Sequence, residues 1–206
     1  MERRPLKSRN TSWAKTLAKT IAGLGISPNF ISVVSVVFSL FGYLFYCYAS
    51  KGSPLLLIAA AATIQLRLLC NLFDGMVAVE YNKKTPMGDV YNDLPDRIAD
   101  VLFILGAGLY CKDLAYATEL AWLCSSLAIM TAYIRVLGTS IGTPTYFLGP
   151  MAKPHRMFLL TIASIAQPFL STFPIIYYSL WIMMVGLVLT CLRRILAINK
   201  AKKDQV

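Results

Sequence analysis

Charged residues are scarce in this chain. They make up 15% of its 206 positions, and only ten are acidic. Soluble globular domains carry about 25%. Together with a mean hydropathy of +0.60, this excludes an ordinary soluble domain and implies an integral membrane protein. Histidine is nearly missing, with His155 alone, so a site built from several imidazoles is excluded. The five cysteines, Cys47, Cys70, Cys111, Cys124 and Cys191, lie in or beside apolar runs with no CxxC spacing. That excludes a thiolate zinc site and leaves them as small buried hydrophobes. Low-complexity tracts and internal repeats are also lacking in these residues, and no appended soluble domain is expected. The first residues do not follow the order of a cleaved signal peptide, so none is expected to be removed.

Apolar runs of roughly 20 residues, enough to cross a bilayer, are plentiful. They predict six spans, at 28–50, 54–80, 86–111, 114–138, 154–172 and 174–196. Ser27-Pro28, Ser53-Pro54, Thr85-Pro86 and Phe173-Pro174 place proline at the opening of a span, where its missing N–H costs nothing. Residues 139–153, with Gly142, Pro144, Gly149 and Pro150, read as the longest loop. The expected fold is an all-α membrane protein with an N-terminal amphipathic juxtamembrane segment over 1–27, a six-helix transmembrane domain over 28–198 and a basic tail over 199–206.

Basic residues concentrate on one side of these spans. Arg3, Arg4, Lys7, Arg9, Lys15 and Lys19 precede the first; Lys83 and Lys84 follow the second; Arg135, Lys153 and Arg156 flank the fourth and fifth; Arg193, Arg194, Lys200, Lys202 and Lys203 close the chain. Only Lys51 and Lys112 fall on the other side. Positive residues mark cytoplasmic loops, so both termini are expected in the cytoplasm, most simply at a bacterial inner membrane. The net charge of +10 is thereby assigned to the membrane surface, and no nucleic-acid partner is expected. Between residues 10 and 24, Trp13, Leu17, Ile21 and Leu24 alternate with Lys15 and Lys19 at helical spacing. The pattern suits a helix lying on the inner membrane face; a solvated basic tail is the alternative.

Six of the ten acidic residues lie between Asp74 and Asp100. A carboxylate near a bilayer centre costs about 3 kcal/mol on insertion scales, so such a cluster must be paired, hydrated or metal-bound. Asn71, Asp74, Gly75 and Ala78 fall on one helix stripe, and Gly88, Asn92 and Asp96 step by four along another. On each stripe, oxygen-bearing side chains that can coordinate a hard cation stand beside residues that let a ligand approach the backbone. Asp89, Asp93, Asp96 and Asp100 share an overlapping face. Arg67 sits one turn before Asn71, as a structural partner of the cluster.

The stretch NLFDGMVAVEYNKKTPMGDVYNDLPD, residues 71–96, resembles the signature of the CDP-alcohol phosphotransferases, which runs Asp-x-x-Asp-Gly-x-x-Ala-Arg, eight residues, then Gly-x-x-x-Asp-x-x-x-Asp. Every spacing is kept, and Asp74, Gly75, Ala78, Gly88 and Asp96 match; Asn71, Val79 and Asn92 depart from it. The resemblance implies a homodimeric enzyme of phospholipid biosynthesis that transfers a phosphatidyl group from CDP-diacylglycerol to an alcohol and releases CMP. It implies Asn71, Asp74, Asn92 and Asp96 as ligands of one or two Mg²⁺ or Mn²⁺ ions, Asp96 as the base that activates the alcohol, and Gly75, Ala78 and Gly88 as the lining of the nucleotide site. The two asparagines bring oxygen without charge. Asp89 or Asp93 can restore some of it, or Asp93 can pair with Arg97.

Arg135, Lys153 and Arg156 are the candidates for an acceptor phosphate, the latter two at the opening of the fifth span, where helix N-terminal amides add positive potential. Glycerol phosphate, inositol phosphate, serine and phosphatidylglycerol all remain open as acceptors. Two other classes also stay in view. A degenerate relative would bind the CDP-lipid without turning it over, and a transporter would place carboxylates at midplane, although its usual repeats and broken helices are missing.

Overall fold

The computed structural model describes residues 11–81, 83, 85–170 and 172–204. The basic residues Arg3, Arg4, Lys7, Arg9 and Lys84 fall outside them. Every regular element among the described residues is helical: α1 (Ser12–Gly23), α2 (Pro28–Ala49), α3 (Leu56–Glu80), α4 (Gly88–Tyr110), α5 (Ala117–Ser140), α6 (Lys153–Ala166) and α7 (Ile175–Lys203), with a 3-10 turn at Gln167–Phe169 after α6. α2, α3, α5 and α7 are long and apolar enough to cross a membrane. α4 has the length, at 23 residues, but carries Asp89, Asp93, Asp96, Arg97 and Asp100. α6 has only 14 residues. α7 runs past residue 199 to Lys203, with Lys200, Lys202 and Lys203 in its last turn.

The helix starts follow from local chemistry. Ser27 caps α2 by accepting from the Phe30 N–H at 3.2 Å, with Pro28 at the first position, where its fixed φ suits a helix. Gly25 adopts φ +76° after α1, the left-handed turn that glycine accepts most readily. At the end of α6, Gln167 donates to the carbonyls of Leu170 and Phe173 and accepts from the Ile176 N–H. One side chain thus ends α6 and aligns the start of α7.

Packing rests on small residues. α2 turns Ser32, Ser35, Ser39 and Gly42 inward, against α3 and α4. The inner serines return hydrogen bonds to their own helix, Ser35 to the Ser32 carbonyl at 2.6 Å and Ser39 to that of Ser35 at 2.8 Å. They therefore present little more than a methylene to their neighbours. A side chain at Gly42 would strike the Phe103 ring and approach Thr63 Oγ1 to 2.6 Å. The opposite face of α2, with Phe30, Val33, Val37 and Phe41, is exposed, as a lipid-facing surface must be. The main core joins α2 to α7 around Tyr46, Phe103, Met157 and Leu180.

A second, smaller core binds α1 to α3. Ala14, Ala18 and Ala22 are buried on one face of α1, while Trp13 and Leu17 remain about half exposed. Trp13 meets Phe73 edge-on, with ring centroids 6.3 Å apart. Lys15 and Lys19 point away from the protein.

Candidate active site

α2, α3, α4 and the α3–α4 connection enclose a cavity of about 420 Å³. Its wall includes Pro28, Asn29 and Ser32 from α2; Asp74, Ala78 and Val79 from α3; Lys83 and Thr85 from the connection; and Gly88, Asp89 and Asn92 from α4. The volume lies within the range of small-molecule sites. Asn29 and Thr85 exchange hydrogen bonds across the rim at 3.2–3.3 Å. Ala78 and Gly88 keep side-chain bulk out of the space. Beside Gly88 an added Cβ would meet only Thr85 Oγ1, at 3.4 Å, so the absent side chain serves the cavity and not a tight helix contact.

Asn71 and Asp74 are one turn apart on α3, and Asn92 and Asp96 one turn apart on α4. Across the helices, Asp74 and Asn92 border the same cavity, while Asn71 Nδ2 donates directly to Asp96 Oδ1. Asp74 Oδ2 is held by the Ser32 hydroxyl at 2.7 Å. That bond leaves the other Asp74 oxygen, Oδ1, buried with no hydrogen-bond partner, and the same is true of Asn71 Oδ1.

Buried oxygens in this condition cost about 1–3 kcal/mol each and are usually satisfied by an ordered water or an ion. Two of them, one turn apart, next to a carboxylate and a second amide, form a donor set suited to a hard divalent cation. Among the described residues no three His, Cys, Asp or Glu side chains form a metal-holding group. Any such site here must therefore use amide oxygens, as the asparagines at 71 and 92 require.

Behind the cavity lies a ladder of ion pairs. Asp96 Oδ1 receives Arg67 Nη2 at 3.1 Å, and Asp96 Oδ2 meets Lys153 Nζ, with Arg97 at 3.7 Å. Asp100, one turn deeper on α4, bridges Arg67 at 3.1 Å and Arg156 at 2.5 Å. Asp93 faces the other way, toward Arg135 at 2.7 Å and Arg97 at 3.7 Å. Five cations thus surround three carboxylates, leaving a surplus of positive charge on this side. Buried charges persist only when paired and hydrogen-bonded, and here the pairing comes from four different helices.

The sequence-derived residues consequently separate by position. Asp74, Ala78, Gly88, Asp89 and Asn92 line the cavity; Asn71 and Lys153 both meet Asp96, which is not on its wall; Gly75 is buried in α3 without lining it. Asp93, one of two residues considered for restoring charge, is committed to Arg135 and Arg97 and is not on the cavity wall, whereas Asp89 is. Arg156, considered for the acceptor phosphate, is buried against Asp100 and donates to the Met151 carbonyl at 3.0 Å.

Four residues escaped the sequence reading: Ser32, Asn29, Asp100 as a bridge, and Arg194. The last donates to the Leu148 carbonyl at 3.0 Å and to that of Thr131, pinning the loop before α6. Ser32 was legible in principle, because Ser32, Ser35 and Ser39 mark a polar stripe on an otherwise apolar helix. Arg194 carried no local signal beyond its charge.

Comparison with known proteins bears on the family and the fold. The sequence profile of the CDP-alcohol phosphatidyltransferase family matches residues 25–197. The phosphatidylinositol phosphate synthase of Mycobacterium tuberculosis is 24% identical over 187 residues, which cover 87% of this chain and 82% of that protein. A crystal structure of the M. tuberculosis enzyme with CDP-DAG bound superimposes with a TM-score of 0.78 at 20% identity, covering 91% of this chain and 94% of the other. Its complex with manganese and citrate gives 0.76 at 22% identity, covering 90% and 88%. The chain is an integral membrane protein and belongs to the CDP-alcohol phosphatidyltransferase family, the enzymes of phospholipid biosynthesis that move a phosphatidyl group from a CDP-linked lipid onto an alcohol.

Proposed function

We propose that the α2–α3–α4 cavity takes the nucleotide end of CDP-diacylglycerol, and that an alcohol acceptor, itself phosphorylated, reaches the reacting phosphorus from the side of Lys153. The observation that carries this reading is the pair of buried, partnerless oxygens on Asn71 and Asp74, one turn apart on α3, with Asp74 on the wall of a cavity bounded by both halves of the family motif. A divalent cation, Mg²⁺ or Mn²⁺, would be held by Asn71, Asp74, Asn92 and Asp96, and when bound it supplies charge neutralisation at the donor pyrophosphate.

The remaining work falls to the protein and is mostly positioning and electrostatics. Asp96 takes the proton from the acceptor hydroxyl. The acceptor oxygen then bonds to the phosphorus nearer the lipid, the bond from that phosphorus to the bridging oxygen breaks, and CMP leaves with the bridging oxygen. A carboxylate gripped by Lys153, Arg67 and Arg97 is a weak base. The reading therefore requires Lys153 to exchange Asp96 for the anionic group of the acceptor. Asn71 and Arg67 then keep Asp96 in place, since both hold its other oxygen. Five cations against three carboxylates on this side support a phosphate-bearing acceptor over a neutral one.

The same reading sets the chain in a bacterial inner membrane as a homodimer. α4 and α6 complete six spans, and residues 1–27, the cavity mouth and the C-terminus all face the cytoplasm. The asymmetry of Lys and Arg supports the orientation. The ion pairs of α4 support its place inside the bilayer, since each carboxylate within the helix is matched or faces the cavity.

The test is release of labelled CMP from CDP-diacylglycerol by the purified protein in detergent, with Mg²⁺ or Mn²⁺ and a panel of phosphorylated and neutral alcohols, followed by mass spectrometry of the lipid products. Metal-dependent CMP release with one acceptor phosphate is expected. Binding of CDP-diacylglycerol without CMP release under any acceptor would replace the reading with that of a non-catalytic lipid binder.

A further inference from the structure

The cavity holds two carboxylates, Asp74 and Asp89, and, among the described residues of its wall, a single cation, Lys83. Among the described residues, the other cations near the site already have partners: Arg67, Arg97, Arg135, Lys153 and Arg156 are paired with carboxylates, and Arg194 holds two carbonyls. Lys83 differs. Its Nζ donates at 2.7 Å to the Ala22 carbonyl, in the last turn of α1, and it forms no ion pair with any described residue. That carbonyl is also taken by the Gly25 N–H at 3.2 Å. An ammonium has three donors, and here it rests on a neutral oxygen that already has another donor. An anion entering the cavity offers it a charge-assisted bond of roughly twice the strength of a neutral one.

We propose that Lys83 is the donor-recognition cation of this cavity, and that its ammonium leaves the Ala22 carbonyl to bind the phosphate oxygens of a nucleoside diphosphate. The proposal rests on the functional reading above and deepens it. It has a structural consequence, because Lys83 is the tether between the α3–α4 connection and the end of α1. The fully buried residues that α1 gives to its core are three alanines, with Ile21 packed beside them, so the tether adds to its seating at the C-terminal turn. Donor binding and the docking of α1 therefore draw on the same side chain. Filling the cavity frees the C-terminal turn of α1, and α1 remains on α3 through Trp13, Ala14 and Ala18.

Three variants separate recognition from capping. Lys83→Arg keeps the charge, Lys83→Gln keeps a donor for the Ala22 carbonyl but loses the charge, and Lys83→Met loses both. Binding of soluble CDP to each full-length protein is measured by calorimetry in neutral detergent with Mg²⁺, alongside KM for CDP-diacylglycerol and for the acceptor. Lys83→Gln and Lys83→Met are expected to weaken CDP binding and raise the donor KM by about tenfold to a hundredfold, with kcat and the acceptor KM within about twofold. Lys83→Arg is expected to restore both to within about threefold.

Wild-type affinity in Lys83→Gln would overturn the proposal and leave Lys83 as a cap of α1, and so would an equal rise in both KM values. Loss of binding to anionic phosphatidylglycerol vesicles with CDP affinity unchanged would also overturn it, assigning the ammonium to lipid headgroups. Should Lys83→Met fail to fold, Lys83→Gln decides alone. Wild-type protein that binds no CDP while remaining folded would overturn the functional reading itself.

Discussion

Asp96 and Asp100 occupy successive turns of one helix and do different things. Asp96 is reached by Asn71, Arg67, Lys153 and Arg97, one turn from the cavity-lining Asn92; Asp100 is almost fully buried and holds Arg67 and Arg156 together. Asp96→Asn keeps the shape and removes the basic oxygen. CMP release is expected to fall by about 10²–10⁴, the usual contribution of a general base, while calorimetry finds CDP binding retained. Asp100→Ala leaves the buried Arg156 without a carboxylate and Arg67 with Asp96 alone. A broken buried pair costs about 3–5 kcal/mol, so a marked drop in the thermal unfolding midpoint in detergent is expected, before any assay of activity is meaningful. An unchanged midpoint would show that water reaches Arg67 and Arg156. The spacing of Asp96 and Asp100 was legible in the sequence. Their division of labour was not, because Arg67 and Arg156 lie 33 and 56 residues from Asp100, and only helix rotation decides which carboxylate they meet.

At the scale of elements, close helix approach is what brings the two motif halves together. α2 is the wedge between them: Ser32 steers Asp74 of α3, and Gly42 admits Phe103 of α4. Gly42→Leu has no free volume to occupy, since Phe103 and Thr63 already fill it. Overpacking costs typically 1–3 kcal/mol and shifts backbones. Reduced stability is expected together with weaker CDP binding, although residue 42 is almost three turns beyond Ser32 on the same helix. Lost stability with wild-type CDP affinity would mean that the cavity is set by the α3–α4 connection and not by α2. The positions of α2, α3 and α5 follow the hydropathy pattern closely, because a lipid-facing helix advertises itself through apolar length. α6 was harder to read: its apolar run continues past Ala166, but Pro168 prevents a longer helix, and the chain turns through Gln167–Phe169.

For the whole molecule, orientation in the membrane is the open quantity with the simplest test. Single cysteines placed at Lys112 and at Lys200 in a background lacking the five native ones are expected to react with a membrane-impermeant maleimide on opposite sides. In intact spheroplasts Lys112→Cys should label, and Lys200→Cys only after lysis. The reverse pattern would overturn the cytoplasmic placement of the cavity. Composition and periodicity by themselves determined the membrane setting, the helical class, the two motif stripes and the family they resemble, because all of these depend on spacing along one helix or on apolar length. Tertiary structure alone decided that Ser32 and Asn71 leave one oxygen each on Asp74 and Asn71 unpartnered, that Asp93 turns to Arg135, that Arg156 is spent on Asp100, and that Lys83 rests on Ala22. Each of those outcomes depends on the rotation and separation of helices that are distant in the chain, and a pattern read along the sequence carries no term for either.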